Sequence, residues 1–65
     1  MELLELFWQN VEYYMQVKGL TYTKIMGGNA KMARQHTYNP SLKKVQEIAE
    51  ILGVSSYAVL FRKPK

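Results

Sequence analysis

The 65-residue chain has no cysteine, no aspartate and a single histidine, His36. With no cysteine there is neither a disulfide framework nor a thiolate metal site, and nothing points to an oxidising compartment, so a cytoplasmic protein is the default expectation. With no aspartate, a Ser/His/Asp triad lacks its acid unless a glutamate serves. His36 and the scattered glutamates do not bring together the ligands a zinc site needs. Long apolar runs are missing too: Leu6 to Trp8 and Ala58 to Phe61 fall far short of the roughly 20 residues that span a bilayer, and Met1 to Glu5 carries Glu2 and Glu5 in place of a basic leader. There is no glycine-rich phosphate loop, since Gly27-Gly28 is an isolated doublet. Glu2 with Glu5 and Glu47 with Glu50 sit three apart on expected helices, where carboxylates lie on a solvated face, and so short a chain offers no deep cleft to turn them into a catalytic pair. No enzyme activity, cofactor, metal, membrane association or small-molecule substrate is expected.

What the chain does contain is enough apolar residue for one core: 48% hydrophobic and 22% charged, close to the globular average. A chain of this size buries only about 60% of its unfolded surface, so a single small domain over 1–65 is expected. The formal net charge of +4 is unevenly spread. Between Tyr13 and Gln46 lie Lys18, Lys24, Lys31, Arg34, Lys43 and Lys44 with no acid, and Arg62, Lys63 and Lys65 form a second basic cluster in the tail. If the central stretch folds onto one face, it makes a positive surface that attracts phosphates or acidic proteins. The plain alternative is a solvated surface kept soluble by lysine.

Residues 3 to 18 predict a helix, with Leu4, Phe7, Val11, Tyr14 and Met15 on one side, ended by Gly19. Thr21 is placed to cap a short helix over Tyr22 to Met26, which Gly27 and Gly28 stop. Asn29 is the expected cap of a third helix reaching about Gln35, with Ala30 and Ala33 as its small inner face. After the loop from His36 to Pro40, Asn39 is expected to cap a fourth helix with Pro40 in its first turn and Leu42, Val45, Ile48, Ala49 and Leu52 as its apolar stripe, ended by Gly53. Ser55 is the expected cap of a last helical turn or two through Leu60. The period-two alternation of strands is absent, so the fold class is all-α, a compact bundle of about five short helices.

Two short helices joined by a tight turn, between a longer helix and an amphipathic return helix, form the layout that places a recognition helix in the DNA major groove. Asn10-Val11 through Lys18-Gly19-Leu20-Thr21, then Asn39-Pro40-Ser41-Leu42 through Ile48-Ala49-Glu50-Ile51-Leu52-Gly53-Val54-Ser55, resemble the lambda-repressor-like helix-turn-helix family of Cro and phage-repressor type regulators. Nearly the whole chain takes part in the resemblance. The centre departs from it: the span from Gly19 to Pro40 is shorter than usual, Tyr22 stands where a glutamine is common, and Met15 and Arg34 stand where members carry an internal ion pair.

The resemblance implies a small sequence-specific regulator that binds double-stranded DNA through its third helix. Asn29, Lys31, Arg34 and Gln35 lie on or beside the exposed side of that helix and are of types that reach base edges or phosphates. Lys24, Thr37, Tyr38, Lys43 and Lys44 flank it and would position the protein on the backbone. His36 is counted with them, although a loop histidine making an ordinary polar contact is the simpler reading. Trp8, Tyr57 and Phe61 read as core or as the edge of a subunit interface. The resemblance to operator-binding repressors also implies a homodimer, with Tyr57, Leu60 and Phe61 as its contact unless they close the monomer's own core. The rival reading is a protein-interaction module on the same helical scaffold that has lost specific DNA binding.

Overall fold

The computed structural model describes residues 3–62. In chain order these form α1 (Leu3–Lys18), α2 (Tyr22–Met26), a 3₁₀ turn (Gly27–Asn29), α3 (Ala30–Arg34), α4 (Leu42–Leu52) and a C-terminal 3₁₀ segment (Tyr57–Phe61). No strand occurs among the described residues, so the all-α expectation is met. None of the helices is long and apolar enough to cross a membrane. Glu2 and the tail residues Lys63 and Lys65 lie outside the described residues.

α1 is the spine. At about 1.5 Å per residue its 16 residues run for about 24 Å, most of the 28 Å long dimension of the molecule. Phe7, Trp8, Val11 and Met15 are buried along one side, with Leu4 and Tyr14 packed at its margin. Gly19 ends the helix at φ +68°, and the Leu20 amide donates to the Met15 carbonyl at 2.9 Å, the closing bond of a Schellman motif. Gly53 ends α4 the same way at φ +72°, with the Val54 amide donating to Ala49 at 3.1 Å.

The aromatic side chains close the core. Trp8 is fully buried, its ring edge-on to Phe7 at 4.9 Å between centroids, and its Nε1 donates to the Tyr38 carbonyl at 2.9 Å. Phe7 in turn stacks on Phe61 at 5.2 Å. Val45, Ile48, Ala49 and Leu52 of α4 complete the cluster together with Leu60. Leu42, expected in that stripe, is 77% exposed, because it is the first residue of α4 and precedes the point where the helix meets the core.

Asn10 is the buried polar residue of the core, and its Nδ2 donates to the carbonyls of Leu60 at 2.8 Å and Arg62 at 2.6 Å. These carbonyls lie where the 3₁₀ segment runs out, so α1 supplies the partners that the segment's own end lacks. Asn10→Ala removes both donors and is expected to destabilise the fold by about 1–3 kcal/mol, read as a fall in urea midpoint at unchanged slope. An unchanged midpoint would remove this role from Asn10.

Capping follows tertiary position more than the nearest polar residue. Thr21 caps α2 as expected, its Oγ1 accepting from the Lys24 amide at 3.4 Å. Asn29 makes no side-chain cap: at φ −97°, ψ 10° it is the last residue of a 3₁₀ turn that runs directly into α3, so α3 has no free end there. Ser41, not Asn39, caps α4 by accepting from the Lys44 amide at 3.2 Å, which leaves Pro40 ahead of the helix. Ser56, not Ser55, caps the final segment by accepting from the Ala58 amide at 3.2 Å.

Candidate nucleic-acid interface

Ala30 and Ala33 are the buried residues of α3, and Lys31, Met32, Arg34 and Gln35 are exposed around them. At about 3.6 residues per turn, Lys31, Met32 and Gln35 fall opposite the alanines. Arg34 falls on the flank toward α2, near enough to Tyr22 for its charge to act on the phenol. The small inner side chains let α3 lie close on the core while its cations and amide stay in solvent. Asn29 is exposed at the end of the preceding 3₁₀ turn. Gly27 opens that turn at φ +58°, ψ −121°, a conformation that side chains disfavour, and so sets the angle between α2 and α3.

The flanking residues divide into free and engaged. Lys24 on α2 and Lys43 on α4 are exposed. Lys44 is half-buried and lies 3.7 Å from Glu47 on its own helix, so part of its charge is already matched. Thr37 is exposed, with Oγ1 donating to the Met32 carbonyl at 3.1 Å at the end of α3. Tyr38 is half-buried, its ring packed against Trp8 at 6.5 Å between centroids, which makes it a core-supporting residue more than a flanking contact.

His36 lies inside a polar cluster that ties three elements together. Its Nδ1 is 2.8 Å from Glu5 Oε2 and its Nε2 is 2.7 Å from Glu12 Oε2, both acids on α1. The same Glu12 oxygen accepts from the hydroxyl of buried Tyr22 on α2 at 2.5 Å, and Glu5 Oε2 also accepts from Gln9 Nε2 at 3.3 Å. Glu5, expected on a solvated face, is half-buried because it faces this histidine. His36 is thus in the ordinary polar contact that a loop histidine favours, with both ring nitrogens taken.

Its backbone, at φ +59°, occupies the position after α3 that glycine usually fills. The Thr37 amide donates to Met32 and the His36 amide to Ala33, each at 3.0 Å, the paired bonds of a Schellman motif. Burial lowers the imidazole's affinity for its proton, but the hydrogen bonds and charges of Glu12 and Glu5 outweigh it, so His36 is held above the ordinary histidine range. The Tyr22 phenol is raised first by burial and then by Glu12, with Arg34 pulling the other way.

The cluster is not a metal site. The two carboxylates lie on opposite nitrogens of the ring and do not converge on one point, and among the described residues no group of three or more ligating side chains is placed to hold an ion. The concave surface of about 530 Å³ between α1 and the start of α2, lined by Gln9, Glu12, Tyr13, Met15, Gln16, Leu20 and Tyr22, is open and shallow.

Two features escaped the sequence reading. Met32, 46% exposed, puts an apolar tip between the cations of α3, and its position opposite Ala30 and Ala33 was countable from the helical repeat. Glu12 gave a weaker signal, an acid two turns after Glu5 on the same helix, facing the chain's one histidine across 24 residues of sequence. Of the three residues expected at a dimer contact, Leu60 is fully buried in the monomer and Phe61 is stacked on Phe7, so the core has taken both. Tyr57 remains 45% exposed. Compared with known proteins, the chain matches no family model, no curated protein and no solved structure.

Proposed function

We propose that this protein is a sequence-specific DNA-binding regulator of the helix-turn-helix type, with α3 entering the major groove. The observation that carries the reading is the division of α3 itself: Ala30 and Ala33 face the core, while Lys31, Gln35 and Arg34 stay in solvent on a helix that carries no acid of its own. Arg34 is suited to the paired acceptors of guanine and Gln35 to adenine, each such contact contributing about 1–3 kcal/mol of discrimination. Lys24, Lys43 and Lys44 would then contact phosphates and fix the register.

The molecule's dimensions of 28 × 23 × 21 Å are shorter than the roughly 34 Å between successive major-groove faces, so one copy covers one half-site and a longer operator needs a second. Tyr57 is the exposed residue around which such a pair would form.

The test is fluorescence anisotropy on a random duplex pool across a salt series, followed by selection of the bound sequences. Contact with about five phosphates gives a slope of log affinity against log salt near −4.5, a loss of several hundredfold between about 50 and 200 mM salt. That slope with an enriched motif supports the reading; no binding at low salt overturns it. The second reading, a protein-interaction module, is favoured by Tyr13 and Val17, 58% and 61% exposed one turn apart on α1. It predicts a partner whose binding survives the loss of the basic face.

A further inference from the structure

His36 is exposed to only 17% of its side chain and reaches two carboxylates at once, one on each ring nitrogen. With Glu5 and Glu12 both ionised, this geometry requires a donor at each nitrogen, which only the imidazolium provides. A neutral ring has one acceptor nitrogen, whose lone pair would face a carboxylate oxygen at under 3 Å. The ring sits on the residue that closes α3, in a left-handed backbone conformation that side-chain-bearing residues disfavour. Whatever holds the ring therefore also holds the end of α3 against α1.

We infer that His36, clamped between Glu5 and Glu12, is a proton-operated positioning residue: as the imidazolium it ties the C-terminal end of α3 to α1, and on losing its proton to solvent it releases that end and weakens DNA binding. The DNA part of this inference rests on the function proposed above; the structural part does not. The groups facing the ring are Glu5 and Glu12 from α1 and, through the shared Glu12 oxygen, Tyr22 from α2, with Arg34 of α3 acting on Tyr22. Tyr22 keeps its hydrogen bond to Glu12 when His36 is neutral, so α2 stays docked and only the end of α3 and the loop after it are freed.

The direction follows from linkage. A histidine held above its ordinary value contributes stability that is fully present below about pH 6.5 and is lost as pH rises through the raised folded value. DNA affinity should accordingly fall about threefold or more on the alkaline side, since only the clamped fraction binds fully.

The experiment has two arms on the whole chain. In the first, NMR follows the His36 ring protons and the backbone amides of Lys31 to Gln35 against pH, without DNA. In the second, anisotropy on the selected duplex is repeated over the same pH range at fixed salt. Both use wild type and His36→Asn, a residue that accepts the left-handed backbone and does not titrate. Amides of α3 that move on the His36 curve, with an affinity that falls over that range in wild type and stays flat in His36→Asn, support the proposal. A His36 that titrates while the α3 amides stay still, or a wild-type affinity with no pH dependence, overturns it. Absence of DNA binding at every pH overturns the proposed function, and the amide arm then still decides the clamp.

Discussion

Reversing the charge at Lys31 and Arg34 together, Lys31→Glu with Arg34→Glu, should abolish binding to duplex DNA while leaving the circular dichroism spectrum and melting temperature close to wild type. Both side chains are exposed, and neither forms an ion pair within the described residues, so little is lost from the fold. On DNA the double variant replaces two phosphate-compensating cations with two anions. Dropping two contacts from a slope near −4.5 brings it to about −2.7, before the repulsion of the new carboxylates is counted. At about 0.1 M salt, relative to 1 M, the two lost contacts alone amount to about a sixtyfold loss, which the repulsion of the new carboxylates and the lost base contacts deepen. A double variant that binds as wild type does would move the interface away from α3, whereas one that loses DNA but keeps a protein partner would separate the two readings.

Trp8→Ala should have the largest effect on the fold. The side chain is wholly buried, touches Phe7, Tyr22 and Tyr38, and supplies the donor for the Tyr38 carbonyl. Truncating a buried tryptophan costs about 3–5 kcal/mol. A 65-residue chain has a total stability of only about 3–10 kcal/mol, at roughly 0.05–0.15 kcal/mol per residue. The variant should therefore be largely unfolded at 25 °C, or melt about 12–40 °C lower, by far-ultraviolet circular dichroism. Trp8→Phe is the milder control: it keeps the ring contacts and loses the hydrogen bond, for about 1–3 kcal/mol. A Trp8→Ala protein melting within a few degrees of wild type would mean that the core can close without this ring.

Local features were legible where local physics decides them. α1 and α2 were readable from Gly19, Thr21 and Gly27 because a glycine in the left-handed region or a hydroxyl accepting a nearby amide needs only its neighbours. The inner face of α3 was readable from Ala30 and Ala33, and with it the exposure of Lys31 and Arg34. Asn29, Asn39 and Ser55 misled because each is an adequate cap in isolation. The helix start is fixed instead by where the chain enters the core, which favours Ser41 and Ser56 and runs the 3₁₀ turn through Asn29. Of the His36 clamp only the polar character of the histidine's contact was legible, and of the Asn10 clamp nothing. Their partners lie 24, 31, 50 and 52 residues away, beyond any helical or turn period, and the residue types involved are ordinary surface types elsewhere. Leu60 and Phe61 could be read as core or as interface until Phe7 and Asn10 were seen to claim them.

The grip of Asn10 on Leu60 and Arg62 also sets a timetable for synthesis. α1 is made first, but the segment that covers Phe7 and satisfies Asn10 follows it by 50 residues. At about 5–20 residues per second, translation leaves the apolar side of α1 without that cover for about 3–10 seconds, far longer than the submicrosecond time in which a helix forms. During that interval the nascent chain presents Phe7, Trp8 and Val11 on a helix whose last neighbours do not yet exist. The core thus closes only after the segment carrying Leu60 and Phe61 has emerged, and a ribosome stalled before Leu60 would hold a chain open to chaperones and proteases.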